Sequence, residues 1–141
     1  MYWVSSAVYT TVCPDCFDDI QMATIRIKNL LLRTYIGFKE EEINKQQDVV
    51  INMTIDIDLS HAIKNDVIDG SYDYKIITKN VITLVQEQKF KMLETLTQSV
   101  LDEIMKNKKV RFARVEVDKP HALRFAASVS IELEASRNEQ G

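Results

Sequence analysis

The residues best equipped for chemistry lie in one run, Lys119-Pro120-His121-Ala122-Leu123-Arg124. Just upstream, Ala113, Val115 and Val117 alternate with Arg114, Glu116 and Asp118, the period of a half-buried strand over residues 112–118. Lys119 therefore falls where regular structure should end. Pro120, with its φ fixed and no backbone N–H, stops the ladder and stiffens the loop beyond it. An ammonium on a rigid strand end can give or take a proton at a defined point, although the same residue in isolation reads as a surface lysine. His121 and Arg124 add groups suited to holding an anion. A second run, Cys13-Pro14-Asp15-Cys16, has the spacing of half a zinc site or a redox pair. Zinc needs two further ligands, and the only histidines, His61 and His121, are far apart in sequence, so no metal or other cofactor is expected.

A sheet must present these groups. Residues 24–34 read as a first strand in which Ile25 and Ile27, then Leu30 and Leu32, oppose Arg26, Lys28 and Arg33. The phase slips near Asn29, as a β-bulge there would make it do. Gly37 breaks the pattern, and residues 39–47 read as a solvated polar connection. Residues 49–59 alternate cleanly, with Ile51, Met53, Ile55, Ile57 and Leu59 on one side and Asn52, Thr54, Asp56 and Asp58 on the other. This strand should pair antiparallel with the first. After a polar crossing over 60–73, Asp73 is placed to cap a helix over 74–88 with Ile76, Ile77, Val81, Leu84 and Val85 as its apolar stripe. A second helix carries Leu93, Leu96, Val100, Leu101 and Ile104, and Lys106-Asn107-Lys108-Lys109 puts positive charge at its C-terminus. In a last strand Val129, Ile131 and Leu133 alternate with Ser128, Ser130, Glu132 and Glu134, and the tail after Ala135 should be frayed. The order ββααββ predicts an α+β domain: a four-stranded antiparallel sheet with both helices on one face. Its open edges predict an oligomer.

A chain of 141 residues with 45% apolar side chains suits one domain with one core. The net charge of −3 comes from Asp15, Asp18 and Asp19, leaving 18 basic and 18 acidic residues from Met22 onward. A neutral body without a basic stripe argues against nucleic acid as a partner, and no apolar run approaches membrane-spanning length. Residues 1–21 have neither the basic start nor the apolar segment of an export signal. They are expected to form a loosely ordered leader, with Met22 beginning a single domain over 22–141. Without the leader the chain has no cysteine, which fits a reducing cytoplasm.

Several strings go further than periodicity. Arg33-Thr-Tyr-Ile-Gly37-Phe-Lys39-Glu-Glu-Glu42-Ile-Asn44, Tyr74 opening a helix, Leu93-Glu94 early in the next, and Lys119-Pro-His-Ala-Leu-Arg124-Phe-Ala126 together resemble the dihydroneopterin aldolase family over residues 23–133. The loop strings are most similar to those of members that invert the 2′ side-chain carbon of 7,8-dihydroneopterin triphosphate. The likeness implies the tunnelling fold (T-fold), in which sheets of neighbouring subunits join into rings and two rings stack as a homo-octamer with sites between subunits. It implies that Lys119 and Tyr74 carry out proton transfers and that Glu42 orders the site. It also implies that Glu94 anchors the pterin, its carboxylate accepting parallel hydrogen bonds from the amino group and ring N–H. Leu93, the backbone of Ser71 and Tyr72, and Gln47 complete the implied substrate contacts. For the triphosphate the candidates are Arg124, His121, Lys39 and Lys75, with His121 equally suited to a hydrogen bond within its own loop.

The implied chemistry is a retro-aldol cleavage begun at the 2′-hydroxyl, with the dihydropterin imine as electron sink. Neither a lysine Schiff base nor a metal is then needed. Re-addition of the turned aldehyde gives the epimer; its escape gives aldolase chemistry, which releases glycolaldehyde in folate synthesis. Epimerisation would serve folate or tetrahydromonapterin metabolism. A reading of another class is a pterin-binding module without turnover, while a zinc-dependent relative on the same fold is disfavoured by the missing ligands.

Overall fold

Alternation of side chains decides the sheet. A computed structural model of the chain describes residues 22–60 and 72–137. Its elements are β1 (Met22–Tyr35), α1 (Glu40–Ile43), β2 (Gln46–Asp58), α2 (Tyr74–Glu87), α3 (Leu93–Met105), β3 (Val110–Pro120) and β4 (Ser128–Ser136). The four strands form one sheet in the order β1-β2-β3-β4, and every neighbouring pair is antiparallel. Val49, Ile51, Met53, Ile55 and Ile57 of β2 and Ala113, Val115 and Val117 of β3 are buried on one face. Ile77, Val81 and Val85 of α2 and Leu96, Val100, Leu101 and Ile104 of α3 close over them. Each Val, Leu, Ile or Met among these side chains contributes about 1.5–3 kcal/mol when fully buried, which is why the α+β arrangement follows from the stripes.

The phase slip in β1 is a bulge. The register with β2 shifts between Ile27 and Leu30, Asn29 takes a left-handed φ of 55°, and its N–H donates to Asn52 Oδ1 at 2.9 Å. Inward-facing positions change from Ile25 and Ile27 to Leu30, Leu32 and Thr34. Thr34 is fully buried, and its hydroxyl donates to Val85 O at 2.6 Å, tying the sheet to the end of α2. The uncovered face is polar, with Arg114 bridging to Glu134 at 2.9 Å.

Three expectations need correction. The connection after Gly37 contains the short helix α1, because Glu42 is tethered at both ends as described below. β3 continues through Lys119 and Pro120, which pair with Val129 and Ser128, so the lysine lies in the ladder and not beyond it. Ser136 and Arg137, just after Ala135, are also anchored: Ser136 belongs to β4, and the Arg137 guanidinium donates to Met105 O at 2.5 Å, Val110 O at 3.0 Å and Asn107 O at 3.1 Å. Arg137 therefore caps the α3 C-terminus, where lysines were expected to act. No helix among the described residues is long and apolar enough to cross a membrane. The predicted leader with Cys13 and Cys16, together with His61 and Ser71, lies outside the described residues.

Candidate active site

Lys119 has the parity of Ala113, Val115 and Val117, so its side chain leaves the sheet on the helix-covered face at the rim of the core. Only 16% of it is exposed, and Nζ lies 2.7 Å from Glu42 Oε1, which belongs to a side chain 18% exposed. Local structure holds that carboxylate in place. Glu42 is the third residue of α1, and its Oε2 accepts from the Lys39 N–H at 3.2 Å, while its own N–H donates to Lys39 O at 2.8 Å. Gly37 adopts a φ of 135°, and a Cβ built there would overlap the Glu42 carboxyl. Only glycine gives both the conformation and the space. Gln47 donates to Ile36 O at 2.9 Å and hydrogen-bonds Glu42 from the side. The hydrogen bond from Lys119 is the main cause that holds the Glu42 carboxyl below its ordinary range; partial burial works against it, and the Lys39 N–H and Gln47 assist. Glu40 and Glu41 are exposed, so the three glutamates are not interchangeable.

The start of α3 is fixed beside this pair. Phe90 N–H donates to Tyr35 O at 3.2 Å, Gly37 N–H donates to Phe90 O at 3.0 Å, and Ile36 and Phe90 form a parallel bridge. α3 packs on β3 and β4 and returns to β3 through a short turn, so its first turn lies toward the Lys119 end. Leu93 is half-buried there, and Glu94 is exposed in that first turn, where the helix dipole favours a carboxylate. A cleft of about 310 Å³ opens between the 37–43 segment and Lys89-Phe90-Lys91, with Glu42 in its wall.

Tyr74 lies elsewhere. Tyr72 and Asp73 share a groove with Lys106 and Asn107, and Asn107 O accepts from Val110 N–H at 3.1 Å, which puts the start of α2 at the Val110 end of β3. From Val110 to Lys119 the strand spans about 30 Å. Tyr74, 54% exposed, and Lys75 beside it therefore cannot meet Lys119 within one subunit. Tyr72 is buried with no partner for its hydroxyl among the described residues, and burial pushes its pKa up to about 12. His121 is exposed with a left-handed φ of 62°; its backbone N–H donates to Ala127 O at 3.5 Å, and the Arg124 guanidinium lies over the Phe125 ring at 5.8 Å. Lys39 is exposed next to Glu42. Sequence reasoning missed Lys89 and Lys91 at the cleft; the available signal was two cations alternating about a buried aromatic residue.

Most of the chain that carries this arrangement is similar to known proteins. The family model described as FolB: Dihydroneopterin aldolase matches residues 25–134. A dihydroneopterin triphosphate 2′-epimerase of Pseudomonas aeruginosa is 53% identical over 116 residues, covering 82% of this chain and 94% of that protein. The epimerase of Escherichia coli K12 is 50% identical over 115 residues, covering 82% and 96%. Among solved structures, a FolB protein of Vibrio cholerae superposes with a TM-score of 0.78 at 25% identity, covering 84% of this chain and all of that one. The E. coli dihydroneopterin aldolase in complex with neopterin gives 0.76 at 24% identity, covering 81% and 99%, and supports the T-fold assignment. Since the family model spans nearly all of the sheet and both long helices, and relatives at 50–53% identity cover 82% of the chain, the chain belongs to the FolB, or dihydroneopterin aldolase, family.

Proposed function

We propose that this protein epimerises the 2′ side-chain carbon of 7,8-dihydroneopterin triphosphate by retro-aldol and aldol steps. The observation that carries the reading is the pair of Lys119 and Glu42, closed off from most solvent at the mouth of a cleft, in a chain 53% identical to an epimerase. Glu94 anchors the pterin through its amino group and ring N–H, with Leu93 beside it. A proton leaves the 2′-hydroxyl, the C1′–C2′ bond breaks, and its electrons pass into the ring imine, which takes up a proton at N5. The products are an enamine and a bound aldehyde. Lys119 and Tyr74 move the protons, through a bound water where they do not touch the substrate, while Glu42 and Gln47 keep the ammonium oriented. Rotation of the aldehyde before the bond re-forms inverts the 2′ centre.

Because Tyr74 is about 30 Å of strand away from Lys119, the complete site is built from two subunits. The backbone around Ser71 and Tyr72 is proposed to contact the same ring from the neighbour. Open β1 and β4 edges suit rings of subunits, stacked as a homo-octamer working in the cytoplasm on a small-molecule dihydropterin. Incubation with 7,8-dihydroneopterin triphosphate, followed by chromatography, tests the reading. A 2′-epimer with its phosphates intact is expected. The family's aldolase description favours one competing result, 6-hydroxymethyl-dihydropterin with free aldehyde as the main product, which would make the protein an aldolase.

A further inference from the structure

Resting on that reading, and going beyond it to the substrate's tail, we infer that Lys89 and Lys91 form the triphosphate subsite, in the cleft beside Glu42. Phe90 is fixed by hydrogen bonds to Tyr35 O and from the Gly37 N–H and is 6% exposed, so its ring points into the core. In an extended segment neighbouring side chains alternate, so burying Phe90 turns Lys89 and Lys91 together toward the opposite side. Both lysines are exposed and line the cleft of about 310 Å³. Lys89 is steadied there by its position 4.8 Å over the Tyr35 ring.

Charge and reach agree. Glu42 also lines this cleft, but its charge is answered by Lys119 at 2.7 Å, so Lys89 and Lys91 leave the wall positive. The reacting 2′ carbon must lie beside Lys119. The phosphates are carried on the next carbon, so they begin within a few bonds of Glu42 and extend along the cleft. A chain of phosphates with several negative charges needs clustered ammonium or guanidinium donors, which two adjacent lysines supply. By contrast, Arg124 is engaged over Phe125 on the exposed loop after β3, and Lys75, next to Tyr74, can reach the site only from the neighbouring subunit.

The test compares the parent with Lys89→Gln/Lys91→Gln and with His121→Gln/Arg124→Gln. The readout is the ratio of kcat/KM for dihydroneopterin triphosphate to that for unphosphorylated dihydroneopterin. The lysine pair is expected to lower the ratio at least about tenfold. A ratio unchanged in that variant, or lost only in the His121/Arg124 variant, overturns the assignment. A second measurement needs no variant: inorganic tripolyphosphate should protect Lys89 and Lys91 of the parent from an amine-acylating reagent, read by peptide mass spectrometry. Absence of protection at both lysines overturns the assignment. If the parent turns over neither pterin, the epimerase reading fails while protection still decides the anion site.

Discussion

Replacing Gly37 by alanine tests how the site is held. The substitution forces a side chain onto a backbone with φ 135°, a strain of about 1–3 kcal/mol, and pushes its Cβ into the Glu42 carboxyl. Displacing that carboxyl breaks the Lys119 pair. Exposed pairs are worth about 0.2–1 kcal/mol and breaking buried ones costs about 3–5, so at 16% and 18% exposure roughly 2 kcal/mol is expected. The total, about 3–5 kcal/mol, is a large part of a typical domain's stability. It should lower Tm by roughly 10–20 °C at fixed protein concentration. Because Lys119 loses its orientation, kcat should fall at least about 100-fold. A double-mutant cycle with Glu42→Ala isolates the cause. In that background the pair is already lost, so Gly37→Ala should show only the backbone strain, leaving a coupling near 2 kcal/mol measured by thermal melts. Additivity within about 0.5 kcal/mol, or a kcat within twofold of the parent, would refute the claim that Glu42 is what demands glycine.

Acid should weaken the same contact. Glu42 is held below its ordinary value of 4.5, chiefly by Lys119, so its contribution is complete above that value and disappears as pH falls through the lower folded-state pKa. Thermal melts from pH 6 to 3 should show a steeper decline in the parent than in Glu42→Gln; parallel curves would remove Glu42 from the acid response. Glu94→Ala should weaken dihydropterin binding at least about tenfold by calorimetry, since a charged acceptor is lost, and unchanged affinity would place the anchor elsewhere. Arg137→Ala removes donors to the carbonyls of Met105 at the end of α3, Asn107 in the turn and Val110 at the start of β3, and should cost about 2 kcal/mol in stability without moving the substrate KM, checked by melts and steady-state kinetics.

What could be read in the chain followed from local periodicity. β2 was legible because its alternation is unbroken, and the bulge because Asn29 sits where the apolar phase slips. Asp73 was legible as a cap, and its side chain accepts from the Lys75 and Ile76 N–H groups. The rest depends on contacts distant in sequence. Nothing in Glu40-Glu41-Glu42 distinguishes the third glutamate until Lys119, 77 positions later, closes on it. The extension of β3 to Pro120 depends on β4 continuing opposite it, and the anchoring of Arg137 on a turn between α3 and β3. Lys89 and Lys91 gain meaning only when Phe90 docks against Tyr35 and Gly37. The family resemblance supplied residue names for the site but not this wiring.

The separation of Tyr74 from Lys119 makes the strongest demand on the assembly. One subunit carries the lysine, Glu42 and the start of α3 at one end of the sheet, and the tyrosine about 30 Å of strand away at the other. If neighbours combine opposite ends, Lys119→Ala and Tyr74→Phe each spoil every site in their own oligomer, but in different halves of it. Unfolding and refolding the two variants together in equal amounts then gives each site independent halves. About a quarter of the sites should receive an intact lysine and an intact tyrosine, by the closed symmetry in which every interface repeats the same pairing. Recovery of roughly a quarter of parental turnover in the mixture, with little in either variant alone, is the expected result. Activity no greater than the mean of the two variants, with mixed oligomers verified by mass spectrometry, would mean that Tyr74 does not complete the site across an interface.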